Sequence, residues 1–397
     1  MACWPGPCQS SLGGAARTIG GVSVPSAEAV KAALQSVLDP EIHKPITELG
    51  MVSSVSVSDA GAVHVRVLLT VPGCPMKAQL TRDVTAAVSR IDGVRDVQVE
   101  LGVMTDEQRT ALRQQLRGDA PANEIPFAKP GSRTRVYAVA SGKGGVGKSS
   151  VTVNVAAALA ARGLSVGVVD ADIYGFSVPR MLGVTGRPTQ VEQMILPPEM
   201  HDVKVISIGM FTRGNTAIAW RGPMLHRALQ QFLADVFWGD LDVLLMDLPP
   251  GTGDIAISVA QLVPSAELVV VTTPQLAARE VAQRAGSIAL QTHQQIVGVV
   301  ENMSWLPLPD GSRMELFGSG GGQWVADSLA AATGTRVPLL GQIPIDPAVR
   351  EGGDYGTPVV LSHPSSTAAA ALRRVADTLV QRQHSLVGRS LGLAPAR

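Results

Sequence analysis

The sequence predicts an α/β protein, with a mostly parallel sheet covered by helices on both faces and a small α+β domain in front of it. Three observations carry that expectation. Beyond Arg135, strand-like and helix-like segments alternate along the chain. The strands there are unbroken runs of Val, Leu, Ile and Ala, as in Val136–Ala140, Val243–Asp247 and Ile296–Asn302. Such runs belong in a parallel sheet buried on both faces, whereas half-exposed strands alternate. A glycine-rich turn joins the first of these strands to a helix beginning at Gly147. At 397 residues the chain also exceeds what one hydrophobic core usually serves, so two domains are expected.

Composition removes several classes of function. The 33 Lys and Arg balance the 33 Asp and Glu. A protein that lives on nucleic acid needs a clear basic excess to neutralise phosphates, so no nucleic-acid partner is expected. No segment approaches the roughly 20 consecutive apolar residues of a membrane span. The start, Met1-Ala-Cys-Trp-Pro-Gly-Pro, has neither a basic opening nor an apolar run and does not read as a secretory signal. Three cysteines are too few for a disulfide framework. The expectation is a cytoplasmic protein without membrane attachment.

Residues 1–24 are Gly-, Ser- and Pro-rich without periodicity and read as a disordered leader holding Cys3 and Cys8. Residues 25–104 form the small α+β domain. A helix follows the Ser26 cap and stops before Asp39-Pro40, strands cover 52–57 and 63–70, a helix covers about 76–91, and a strand covers 94–101. Residues 105–134 are a helix and linker: Thr105-Asp-Glu-Gln108 is a capping box, and the stretch from Gly118 to Thr134 mixes Pro, Gly and charge. Residues 135–382 form the large domain. Its strands are expected at 136–140, 165–170, 243–247, 267–273 and 296–302, with helices from Gly147, near 224–237 and from Gln275. Residues 383–397 read as a disordered tail.

The strongest chemical signal is Gly142-Lys143-Gly144-Gly145-Val146-Gly147-Lys148-Ser149-Ser150, which lies between a buried strand and a helix. It has the G-x-x-x-x-G-K-[ST] spacing of a phosphate loop. The glycines let successive backbone N–H groups turn inward around phosphate oxygens, and the helix aims its positive end at them. Lys148 can reach the β- and γ-phosphates of ATP, and the Ser149 hydroxyl can ligate Mg2+. Asp170 and Asp172 end one strand and Asp247 ends another, at the carboxyl edge where open α/β sheets bind ligands. Asp247 is assigned to the Mg2+ shell through water, Asp170 supports the metal side, and Asp172 is the candidate for orienting the attacking water. Asp247-Leu-Pro-Pro-Gly-Thr-Gly-Asp254 reads as a switch loop. Asn302 can either read the N6/N7 edge of adenine or simply end its strand in a turn. The seven histidines are scattered, and none stands at zinc-ligand spacing from a cysteine.

Lys143 is not required to cradle a nucleotide. Gly-Lys-Gly-Gly-x-Gly-Lys-Ser resembles the deviant Walker A motif, and that resemblance implies a homodimer in which this second lysine reaches the partner's phosphates. Together with Asp170-Ala-Asp-Ile-Tyr-Gly175, the switch loop and Val299-Val-Glu-Asn-Met-Ser304, the motif resembles the Mrp/ApbC family of iron–sulfur cluster carrier ATPases. Asp39-Pro-Glu-Ile42, Ile46-Thr-Glu-Leu-Gly-Met-Val52, Pro72-Gly-Cys74-Pro-Met76 and Gly93-Val-Arg-Asp-Val97 resemble the small SufT-like domain of iron–sulfur assembly factors. The resemblance implies ATP hydrolysis coupled to cluster carriage, with client apoproteins and assembly factors as partners.

One departure stands out. Family members carry a Cys-x-x-Cys pair shortly after the Asn-Met-Ser segment, but here residues 302–317 contain no cysteine. Clusters are normally held by thiolates. Cys74, in a Gly-Cys-Pro turn, is then either a cluster or metal ligand shared with a second chain or a small buried cysteine. The alternatives to a carrier are a cluster-free regulatory or scaffold ATPase and a positioning ATPase of the MinD/ParA kind. The latter would use a basic amphipathic terminal helix, whereas Ser366 to about Leu386 is Ala-rich and lacks aromatics. A nitrogenase-reductase-like redox role needs cysteines in the ATPase domain, which has none after Arg135.

Overall fold

The computed structural model describes residues 18–19, 22–71, 76–117, 124–129, 131–172, 175–211, 222–251, 254–275, 285–287 and 289–381. The chain divides into two compact units, Met1–Asp119 with Thr189–Met194, and Ala120–Pro188 with Ile195–Arg397.

The first unit opens with α1 (Ala27–Leu34), capped by the Ser26 side chain, which accepts from the Ala29 amide at 3.1 Å. The helix ends four residues short of Leu38. Leu38 instead bridges to Pro45, and Asp39 Oδ1 accepts the amides of Glu41 and Ile42 at 3.0 and 2.9 Å, so a side chain closes the turn that the following proline begins. Strands β1 (Val52–Val57), β2 (Ala62–Leu69) and β3 (Asp96–Val103) form a sheet in that order, antiparallel then parallel. Helix α2 (Lys77–Val88) crosses between β2 and β3 and buries Leu80, Val84 and Val88. Helix α3 (Asp106–Arg117) starts with the expected capping box: Gln108 N donates to Thr105 Oγ1 at 3.3 Å, and Thr105 N donates to Gln108 Oε1 at 2.9 Å. Residues Thr189–Met194 cluster with this unit rather than with the large domain to which residues 135–382 were assigned. Within it, Thr189 Oγ1 donates to Glu41 Oε1 at 2.6 Å and Arg113 pairs with Glu192 at 3.5 Å.

The second unit is built on β4 (Arg135–Ala140), helix α4 (Lys148–Ala160), β5 (Val166–Asp170), β6 (Glu199–Met200), β7 (Val203–Ser207), helix α5 (Gly222–Ala234), β8 (Val243–Asp247), helix α6 (Asp254–Leu262), β9 (Glu267–Thr272), β10 (Ile296–Asn302), helix α7 (Gly321–Thr333), β11 (Leu339–Ile343), helix α8 (Pro347–Tyr355) and helix α9 (Thr367–Gln381). The sheet order is β6-β7-β5-β8-β4-β9-β10-β11, and every pairing is parallel except the short edge strand β6. β6, β7 and β11 lie outside the strands expected from the sequence.

Successive side chains of each strand enter opposite faces, so one sheet serves two cores. Val136, Ala138 and Ala140 of β4 join one cluster with Leu244, Met246 and Val270. Tyr137 and Val139 join the other with Val243, Leu245 and Val269. α4 is buried almost all round, and its run Ala156-Ala157-Ala158 lets it lie close between the sheet and α9. The latter part of the stretch read as a linker belongs to this unit. Ile125 and Phe127 are buried, and the Phe127 ring meets Trp238 edge-on at 6.4 Å, because two apolar side chains flanking a proline gain more from the core than from water. Among the described residues no helix is long and apolar enough to cross a membrane.

Candidate functional site

Parallel pairing puts the carboxyl ends of β4, β5 and β8 at one edge of the sheet. Asp247 stands in register with Val139 of β4 on one side and with Asp170 of β5 on the other, so two strand-end carboxylates lie side by side. The phosphate loop leaves β4 at this edge. Its last glycine, Gly147, sits at φ +79° as the N-cap of α4, a left-handed conformation that costs other residues about 1–2 kcal/mol. A Cβ there would also stand 2.2 Å from Asn302 Nδ2. Gly145 is left-handed as well, at φ +77°, with open space where its Cβ would be. Gly251 N donates to Ser141 O at 2.9 Å, which holds the Pro-Pro-Gly segment beside the loop.

Asn302 ends β10 as expected, and its amide nitrogen donates to Val146 O at 2.9 Å. The side chain is nearly buried and holds the phosphate loop, so one of its amide hydrogens is committed to backbone. Lys148, at the first turn of α4, is 6% exposed, with its Nζ 2.7 Å from Asp247 Oδ1. Among the described residues the buried ammonium has no partner besides Asp247, so most of its three donors stay unspent. Asp247 also takes the Ser149 hydroxyl on Oδ2 at 2.6 Å and the Thr152 hydroxyl on Oδ1 at 3.0 Å. Lys148, Ser149 and Asp247, assigned separately from sequence, therefore form one contiguous group. Thr152 escaped the sequence reading, although its position one helical turn after Lys148 was a usable signal.

Asp170 is fully buried. Burial first, and the neighbouring Asp247 second, push its carboxyl up to about 8, against partial relief from hydrogen bonds and from Lys148. It accepts the Asp172 amide on Oδ1 at 3.2 Å and the Ser207 hydroxyl on Oδ2 at 3.1 Å. Ser207 ends the unanticipated strand β7. Asp172 Oδ1 accepts the Gly175 amide at 3.1 Å, so this carboxylate is engaged by backbone three residues further on. Lys143 Nζ donates to Gln275 Oε1 at 2.6 Å, a partner that sequence reasoning did not name.

Cys3, Cys8 and Cys74 lie outside the described residues, as do Ile173, Tyr174, Thr252, Gly253 and most of the helix expected from Gln275. Among the described residues no group of three or more His, Cys, Asp or Glu has the geometry to hold a metal ion. Where the resembling family carries Cys-x-x-Cys, the chain folds a short hairpin, Leu306–Pro307 against Arg313–Met314, with the Arg313 guanidinium 4.2 Å from the Trp305 ring centre.

A parallel sheet whose first strand runs through a glycine loop into a lysine-headed helix, with carboxylates on the neighbouring strand ends, defines a P-loop NTPase. The chain belongs to the family described as NUBPL iron-transfer P-loop NTPases, which matches residues 132–380. Residues 27–101 match the family described as iron–sulfur cluster assembly protein. An iron–sulfur cluster carrier protein of Mycobacterium bovis is 66% identical over 369 residues, covering 93% of this chain and 97% of that protein. A protein of the same name from Deinococcus radiodurans is 45% identical over 355 residues, covering 89% and 94% respectively. Among solved structures, a nucleotide-binding protein from Archaeoglobus fulgidus in complex with ADP is 33% identical, covers 64% of this chain and 91% of that one, and superposes with a TM-score of 0.48.

Proposed function

We propose that the chain is an ATPase that binds iron–sulfur clusters and passes them to apoproteins, working as a homodimer in the cytoplasm. The observation that carries the nucleotide half is Lys148: a buried ammonium with unspent donors, at the N-terminus of a helix, over a glycine loop with open space on its face. Such a group fits a triphosphate. In this reading Lys148 exchanges Asp247 for the β- and γ-phosphates. Asp247 and Ser149 are then free to hold Mg2+, with Asp170 behind them. Bound Mg2+ would neutralise phosphate charge as the terminal phosphoryl group leaves. Asp172 orients the attacking water, Asn302 keeps the loop shaped for phosphate, and Lys143 answers the second copy's nucleotide.

The cluster half rests on the match to cluster-assembly and iron-transfer families and on similarity to carrier proteins, 66% identical in one case, that extends over most of their length. With no cysteine in residues 302–317, Cys74 is the thiolate proposed to hold the cargo, shared with a second chain. Anaerobic reconstitution with iron and sulfide tests this. The wild-type protein should gain visible absorbance and pass the cluster to an apoprotein, and Cys74→Ser should lose both. An unchanged spectrum between the two would remove Cys74 from the proposal.

The same hairpin without cysteine favours one second reading, a regulatory or scaffold ATPase that carries no cluster. ATP turnover without any iron or sulfide retained by the wild type would select it. A membrane-positioning role is disfavoured because α9 buries Ala368, Leu372, Val375 and Leu379 in the core and is tied at its end by Arg135 and Tyr137.

A further inference from the structure

The Lys143 amine has a definite place inside its own subunit. Its donor bond to Gln275 Oε1 is short, 2.6 Å, and among the described residues it forms no ion pair. Gln275 stands in the turn just after β9, next to Pro274. That turn is braced. A Cβ on Gly321, at the start of α7, would come within 2.4 Å of Pro274 O, so the helix backbone lies directly against the turn. The helix start is in turn held by the buried Glu301, whose Oε2 accepts the Gly322 amide at 2.5 Å and whose Oε1 accepts from Gln342 at 2.7 Å. The acceptor for Lys143 is therefore presented by a fixed support.

The acceptor is also neutral. An amide oxygen fixes the position of an ammonium but leaves its charge uncompensated, whereas a carboxylate would cancel it. Lys143 is held while remaining fully attractive to a distant polyanion.

We propose that Gln275 is a positioning residue that parks Lys143 within its own subunit, so that the lysine must exchange this amide for the second copy's phosphates when two copies close. This inference rests on the dimeric reading given above. The exchange sets a threshold: closure proceeds only where the phosphate charge offered in trans outweighs the amide surrendered in cis. Removing the amide should therefore make association easier, the opposite of what damage to a structural contact would do.

The test is ATP turnover by the full chain as a function of protein concentration. Gln275→Ala should lower the concentration for half-maximal turnover about five- to tenfold, the scale of a lost charge-assisted hydrogen bond at a half-buried site, with turnover at saturation unchanged. Gln275→Glu, which keeps the geometry but adds charge, should raise that concentration, and added salt should reduce the rise. In a Lys143→Ala background Gln275→Ala should have no effect. An unchanged or increased half-maximal concentration for Gln275→Ala, in protein with the wild-type melting profile, overturns the proposal. If Lys143→Ala abolishes concentration dependence while Gln275→Ala changes nothing, only the parking role falls. If Lys143→Ala itself keeps wild-type concentration dependence, the dimeric reading falls with it.

Discussion

The Lys148 ammonium and the Asp247 carboxylate lie 2.7 Å apart, both buried, at the junction of α4 and β8. In the function proposed above, each is the group that the other's ligand would replace: phosphate for Asp247, magnesium for Lys148. The pair thus keeps two charges compensated in a place where an isolated one would be costly.

Removing the cation exposes that cost. Lys148→Ala leaves Asp247 buried beside Asp170 with no opposing charge, and breaking a buried pair typically costs about 3–5 kcal/mol. Thermal melts without nucleotide should show a lower midpoint in EDTA than the wild type. Millimolar Mg2+ should recover more of the midpoint in the variant than in the wild type, because the metal supplies the missing positive charge. ATP binding, followed by calorimetry, should be lost.

The loop geometry makes Gly147 intolerant of a side chain. In Gly147→Ala the added Cβ meets Asn302 Nδ2 at 2.2 Å and must hold φ +79°. Nucleotide affinity measured by calorimetry should fall about five- to thirtyfold, matching a strain of about 1–2 kcal/mol. Adding Asn302→Ala removes the clash but leaves the backbone strain, so recovery should be partial.

Asp170 gives the site a pH signature. Its folded value, near 8, is raised above the ordinary 3.8, so the folded state holds a proton that the unfolded chain releases. The resulting stability is fully present below about pH 4 and is lost as pH rises through about 8. In EDTA and without nucleotide, the wild-type melting midpoint should decline across that window more steeply than that of Asp170→Asn. Parallel curves for the two proteins would show that Asp170 does not titrate there.

At the far edge of the unit, Tyr137 OH donates to Leu379 O at 2.8 Å and Arg135 Nη1 donates to the same carbonyl at 3.0 Å, satisfying the end of α9. Tyr137→Phe should cost about 1 kcal/mol in urea unfolding. Combined with Arg135→Met, the loss should exceed the sum of the single changes, since each variant leaves the other donor on the shared acceptor.

Much of the site was legible because its chemistry is local. Gly142 to Ser150 is a contiguous word whose spacing dictates a turn and a helix N-terminus, and apolar runs closing on Asp170 and Asp247 place both carboxylates at strand ends. Strand β7 was harder to see. Val203-Lys-Val-Ile-Ser207 is short and carries a lysine, whose amine finds the Trp238 carbonyl at 2.9 Å only in the folded sheet. The linker reading of residues 118–134 missed Phe127 because one aromatic among prolines has no periodicity to declare which core will receive it. Grouping Thr189–Met194 with the first unit could not be read either, since the contact to Glu41 spans 148 residues of sequence.

The sequence by itself determined the fold class, the phosphate loop and the residue types available for metal and phosphate, since these follow from periodicity and short-range spacing. Tertiary structure alone decided the pairings: Lys148 with Asp247, Asn302 with the Val146 carbonyl, Lys143 with Gln275, and the Asp170 proton. Each of these joins residues far apart in the chain or depends on burial. Distances and dielectric surroundings of that kind exist only once the sheet has assembled and excluded water.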